Sequence, residues 1–261
     1  MISLDRICSQ TVFNRMSMYL LVLMFAGQLI PASHTILAAP ISKTLTIVAF
    51  GDSTTAVRST VKRVYADRLP QLLRAHGVEA QVINAGVGGS HTGRLEDNAR
   101  HKRQHAMDRF DTAVRSHKPD IVIIQFGWND SWVDSADSKA RSRIAVDQYS
   151  RNLKFMIDTL RSDGARVILM TPNRPRSTVE KWRVARTVQY VQAVRDLSKT
   201  SETPLVDIWA EYERRDKAAP GSADRLLLDN VHPSSDGHEL VAEMLARRIL
   251  GMQTDSAHGS R

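Results

Sequence analysis

Leu45-Thr46-Ile47-Val48-Ala49-Phe50-Gly51-Asp52-Ser53 decides the fold. Five of the first six residues are apolar, and a glycine, an aspartate and a serine follow. A short apolar run ended by such residues reads as a strand covered on both faces. The spacing predicts that strand over 45–50, and it puts Ser53 just past its carboxyl end. Outward from there the chain alternates. A helix is expected over 64–76 (Val64, Leu69, Leu72, Leu73), stopping at Gly77, and a strand over 80–83 leads into a glycine-rich stretch. A polar amphipathic helix is expected over 95–116, and an apolar strand over 121–126. A helix over 146–162, a strand over 167–170, a helix over 179–199, a strand over 204–208 and a closing helix over 235–250 complete the series. Parallel strands need crossover connections, so successive βα units imply a parallel sheet of about five strands with helices on both faces. Ligands bind such sheets outside the carboxyl ends of the strands.

The chain has 261 residues, 42% hydrophobic and 25% charged, with a formal net charge of +8. That length suits one α/β domain. The basic residues are scattered along helices without aromatic interleaving, so solvated helix faces are expected and no nucleic-acid partner. Arg6 and Arg15 precede an apolar stretch over 18–30, and Ala38-Ala39 can end a cleavage region. Residues 1–39 are therefore expected to be a signal peptide or N-terminal leader, with an uncleaved anchor as the alternative. The catalytic domain is expected over 40–251, and a disordered tail over 252–261. Without the leader, 34 basic residues face 27 acidic ones. The single cysteine, Cys8, precedes the apolar stretch, so the remaining chain has no disulfide and no thiolate metal site. A secreted or periplasmic bacterial enzyme is the expectation, with no stable membrane insertion once the leader is removed.

Three further blocks carry chemistry. Asn84-Ala85-Gly86-Val87-Gly88-Gly89 follows the second strand and Gly127-Trp128-Asn129-Asp130 the third; Asp229-Asn230-Val231-His232-Pro233 lies near the C-terminus. Ser53 alone reads as a helix or turn cap. Asp229 and His232, three apart, let a carboxylate accept from one ring nitrogen while the other faces a serine. Alone, that pair reads as a helix-entry loop. The Asn129 amide and the backbone N–H groups of Gly89 and Ser53 can donate to a developing oxyanion, each worth roughly 3 kcal/mol in the transition state. Asn and Gly are also ordinary turn residues.

Together, and in this order, the four blocks resemble the SGNH (GDSL-type) hydrolases, from Ile47 to the final helix. In that family the oxyanion glycine lies five residues after the Asn, hence Gly89 rather than Gly86. The resemblance implies a three-layer α/β/α, flavodoxin-like fold, a Ser53–His232–Asp229 triad, an oxyanion hole from Ser53, Gly89 and Asn129, and neither metal nor cofactor. Thr54 departs from the Leu of many lipolytic members and is similar to carbohydrate esterase variants. The expected activity is carboxylic ester hydrolysis through an acyl-enzyme, on a small-molecule or carbohydrate ester, with O-deacetylation of a carbohydrate favoured. A lysophospholipase or acyl thioesterase is the alternative, and a non-catalytic glycan-binding protein the rival from another class.

Other residues are candidates on position alone. His91, beyond the oxyanion stretch, and Trp128 and Trp132, beside Asn129, can reach substrate. Arg174 or Arg176, in Asn173-Arg174-Pro175-Arg176 after the fourth strand, can pair with an acidic substrate. Asp97, His101 and His105 would share a helix face as metal ligands do, but Arg100, Lys102 and Arg103 surround them and favour a solvated face. His238 is expected to be structural, and Asp52 and Asp130 to hold loop backbone.

Overall fold

The computed structural model describes residues 43–98 and 102–258, with side chains to residue 253. The expected leader and His101 lie outside the described residues. Five strands form one parallel sheet: β1 (Leu45–Gly51), β2 (Ala80–Gly86), β3 (Ile121–Gln125), β4 (Arg166–Met170) and β5 (Leu205–Val206). Their spatial order is β2-β1-β3-β4-β5. All four pairings are parallel, and Gly51 aligns with both Gly86 and Gln125. The three strand ends that precede the chemical blocks are therefore level with one another.

Alternation along the buried strands splits the core in two. Ile47, Ala49, Ile121, Ile123, Ile168 and Met170 face one layer of helices. That layer holds α1 (Tyr65–Arg74), α6 (Ile208–Ala218), α7 (Ser222–Arg225) and α8 (Ser235–His258). Val48, Phe50, Val122, Ile124, Val167 and Leu169 face the other. There α2 (Ala106–Ala113), α4 (Val146–Ser162) and α5 (Lys181–Thr200) supply Phe110, Leu153, Met156 and Tyr190. The result is the expected three-layer α/β/α sandwich.

Some elements differ from the sequence reading. The helix expected over 95–116 shortens to α2 and a 3₁₀ turn at Arg115–His117. Asp97 accepts from the Arg94 N–H at 2.6 Å, and Asp108 accepts from the N–H groups of Leu95 and His105. In a helix running from 95 the His105 N–H would go to a carbonyl, and here Asp108 takes it instead. The last strand keeps only two residues, because Asp207 turns the chain into α6 and accepts from the Ala210 N–H at 3.0 Å. The closing helix runs to His258, into the segment expected to be a tail. Among the described residues no helix is long and apolar enough to cross a membrane.

Candidate active site

In this strand order the direction of winding reverses between β1 and β3, and the crevice opens there at the carboxyl edge. Ser53 follows β1 at that crevice. Asp52 is buried and ties the turn together: its Oδ1 accepts from the Thr54 N–H and hydroxyl, both at 2.8 Å. Its Oδ2 accepts from the Asn129 amide at 3.2 Å, joining the β1 turn to α3 (Trp128–Ser131), the short helix after β3. Burial pushes the Asp52 carboxyl above its ordinary range, against these three hydrogen bonds. Asp130 accepts from the Thr92 N–H at 2.8 Å and from the Thr92 hydroxyl, which fixes the segment beyond the glycines. Burial pushes Asp130 up to about 7 despite those bonds.

Gly86 ends β2 with no room for a side chain, since a Cβ there would meet the Ala56 nitrogen at 2.3 Å. The serine turn therefore packs directly on the end of β2. Gly89 has φ +75°, a left-handed conformation that favours glycine. Arg109, which the sequence reading missed, is buried beneath both strand ends. Its guanidinium donates to the Gly51 carbonyl at 2.8 Å and to the Ala85 carbonyl, and lies 4.4 Å from the Phe50 ring centroid. Burial lowers its pKa to about 10, opposed by the Asp52 charge. Its single sequence signal was an arginine among the apolar positions of α2.

The fourth block arrives from the other helical layer. The Asp229 Oδ1 accepts from the N–H groups of Val231 and His232, both at 2.9 Å. The His232 Nδ1 lies 2.8 Å from Asp229 Oδ2, and its Nε2 lies 2.9 Å from the Ser53 Oγ. Burial pushes Asp229 up, but the two backbone N–H groups and the imidazole outweigh it and hold the carboxyl below its ordinary range. Serine, imidazole and carboxylate stand in one hydrogen-bonded row.

The loop after β4 secures that row. Asn173 donates to the Val231 carbonyl at 2.8 Å, and the Arg176 N–H donates to the Asn230 carbonyl at 2.8 Å. Arg176 also donates to the Leu227 carbonyl, and Arg174 pairs with Asp216 at 2.7 Å. Neither arginine lines the cleft, so the expected substrate contact at Arg174 is corrected: its charge is spent on α6, and its loop braces the histidine turn. His91 is corrected likewise. Its ring is 1% exposed, stacks on His105 with centroids 3.5 Å apart, and accepts from the Gly93 N–H. His105 Nδ1 accepts from the His91 N–H, so the two histidines are tied to each other inside the fold. His238 is structural, as expected: it is buried, and its Nδ1 accepts from the Tyr65 N–H at 3.3 Å.

Trp128 does reach the cleft, anchored by its indole N–H to the Asn173 carbonyl at 3.1 Å. The cleft is open, about 490 Å³, and Ser53, Gly89, Asn129, Trp132, Arg143 and His232 are among its other lining residues. Arg143 and Arg103 were not singled out from the sequence, where each reads as one more surface arginine. Arg143 donates to the Asn129 Oδ1 at 3.3 Å and is gripped by Asp134 through Nε and Nη2, the latter at 2.7 Å.

A doubly wound parallel sheet with a serine, an asparagine and a glycine at its switch point, and a histidine brought in by the turn before the last helix, defines the SGNH class of α/β/α hydrolases. A model of the GDSL-like Lipase/Acylhydrolase family matches residues 49–240, and the chain belongs to that family. It is a carboxylic ester hydrolase. The lipase/acylhydrolase from Enterococcus faecalis superposes with a TM-score of 0.64 at 31% identity, over 80% of this chain and 97% of that one. An acetylxylan esterase of Geobacillus stearothermophilus is 28% identical over 172 residues, 65% of this chain and 72% of its own. An uncharacterized lipoprotein of Bacillus subtilis (strain 168) is 29% identical over 195 residues, 65% of this chain and 73% of its own.

Proposed function

We propose that the protein is an exported acetylesterase that removes O-acetyl groups from carbohydrate through a Ser53–His232–Asp229 triad. The observation that carries this reading is the row from the Ser53 Oγ through the imidazole to Asp229, with spacings of 2.9 and 2.8 Å. His232 Nε2 takes the serine proton as Oγ attacks the ester carbonyl. The resulting oxyanion is met by the Ser53 and Gly89 N–H groups and the second N–H of the Asn129 amide, whose first N–H is given to Asp52. The imidazolium returns its proton to the departing alcohol, which leaves an acyl-enzyme. Water deprotonated by His232 then releases the acid and restores Ser53. Asp229 stays ionised and holds the Nδ1–H tautomer. Residues 40–251 form the catalytic domain, and residues 1–39 direct export.

The acetyl-carbohydrate reading is supported by the open cleft, by the half-buried Trp132 at its wall as an aromatic surface beside a sugar ring, and by the acetylxylan esterase relative. The test is kcat/KM on p-nitrophenyl acetate and p-nitrophenyl octanoate for the parent and for Ser53→Ala. The acetate is expected to be the better substrate, and Ser53→Ala to lose about a thousandfold or more with an unchanged circular dichroism spectrum. Preference for octanoate would move the assignment to a lysophospholipase or thioesterase. Equal turnover by parent and variant would remove the triad, and no turnover by either would favour a glycan-binding protein.

A further inference from the structure

Among the described residues, the cleft beside Ser53 is lined by two arginines and by no carboxylate. Their charges are not equivalent. Arg143 is nearly buried, is paired with Asp134 and donates to Asn129. Arg103 is exposed, and among the described residues it has no carboxylate partner; its one hydrogen bond is from Nη1 to the Gly88 carbonyl. That bond anchors the guanidinium along the two glycines. A Cβ placed on Gly89 would meet Arg103 Nη1 at 3.4 Å and Cζ at 3.5 Å. A Cβ placed on Gly88 would lie 3.8 Å from the Ser53 Cβ and 4.0 Å from Arg103 Nη1, so the guanidinium stands within about 8 Å of the nucleophile's β-carbon. A guanidinium has five N–H donors, so one backbone acceptor leaves most of them unused. A cation held by one anchor at the wall of a cleft, with no acid to neutralise it, is suited to a planar anion on the ligand.

We propose that Arg103 forms an anion subsite, and that the natural substrate is an acetyl ester of an acidic saccharide carrying a carboxylate close to the acetylated hydroxyl. The inference rests on the acetylesterase reading above: the acetyl group bears no charge, so the anion belongs to the alcohol part. Arg103 binds that carboxylate, and Trp132, half-buried at the cleft wall with the Arg183 guanidinium stacked on it at 4.3 Å, borders the ring. No bond is made or broken at Arg103, whose part is to lower KM for the charged substrate.

The experiment compares two probes, the mono-O-acetylated methyl glycoside of glucuronic acid and the equally acetylated methyl glucoside, with p-nitrophenyl acetate as a check on the hydrolytic centre. The ratio of kcat/KM, acidic over neutral, is the readout, because a disturbance of the Gly88 loop affects both probes and cancels. The parent is expected to favour the acidic probe about tenfold, as for one charge-assisted hydrogen bond at a partly solvated site, mainly through KM. Arg103→Gln should bring the ratio to near one, Arg103→Lys should retain part of it, and raised salt should shrink it in the parent and the lysine variant but not in Arg103→Gln. A parent ratio at or below one, or a ratio untouched by Arg103→Gln, overturns the subsite while leaving the acetylesterase reading in place. Turnover of p-nitrophenyl acetate with neither saccharide hydrolysed overturns the carbohydrate reading and the subsite together.

Discussion

Asn129 shows how charged neighbours can fix one amide. Its Nδ2 donates to Asp52, and its Oδ1 accepts from Arg143, which is itself clamped by Asp134. With both ends held, the amide has one N–H left, and its direction is set. The Arg143 charge on the carbonyl end also polarises the amide and strengthens that N–H as a donor to an oxyanion. Arg143→Met is expected to lower kcat about tenfold with KM little changed, the size of one hydrogen bond to a charged group. The discriminating measurement is a double-mutant cycle with Asn129→Ala. If Arg143 acts through Asn129, its substitution adds little once the amide has been removed. Equal losses with and without the amide would mean that it acts elsewhere. The sequence marked Asn129 and Asp52 by their place after strands. It had no signal for Arg143, whose partners are set by the fold of the loop after α3.

At the scale of elements, α8 packs against α1 through His238. The ring is fully buried, and burial first, then the nearby charges of Arg68, Arg58 and His232, lowers its pKa from 6.5 to about 4. A base whose folded pKa is depressed is neutral in the native state while the unfolded chain takes a proton. Stability is therefore retained above the unfolded value and lost as pH falls from about 6.5 towards 4, by about 3 kcal/mol at most. Urea unfolding at pH 7 and at pH 5 should show that loss. His238→Asn keeps an acceptor near the Tyr65 N–H and does not titrate, so its loss over the same interval should be smaller. An identical loss in the variant would assign the acid sensitivity to other groups. Helices with a regular apolar stripe, such as α4, were legible from spacing. The stretch 95–116 was not, because Asp97 and Asp108 offer its backbone partners that periodicity cannot register. Asp207 acts likewise at α6.

At the scale of the whole molecule, the order β2-β1-β3-β4-β5 sets the site, because it places the ends of β1 and β3 side by side at the switch point. The first strand opens at Leu45 and the family match begins at residue 49. A chain of residues 40–261 is expected to unfold in one cooperative step and to hydrolyse p-nitrophenyl acetate at the full-length rate. A multistep transition, or a loss of more than about threefold, would mean that the N-terminal segment takes part in the fold or the site. By itself the sequence determined the βα alternation, the parallel sheet and the four chemical blocks, because strand burial, glycine at close approaches and short-range Asp–His spacing are local properties. Only the tertiary structure decided which groups meet. Ser53 and His232 are 179 positions apart and come within 2.9 Å because a loop after β4 braces the turn before α8. Arg174 and His91 stand in equally suggestive positions along the chain, yet one is drawn to Asp216 and the other into the core. Such long-range pairings depend on the packing of whole layers, which no local run of residues encodes.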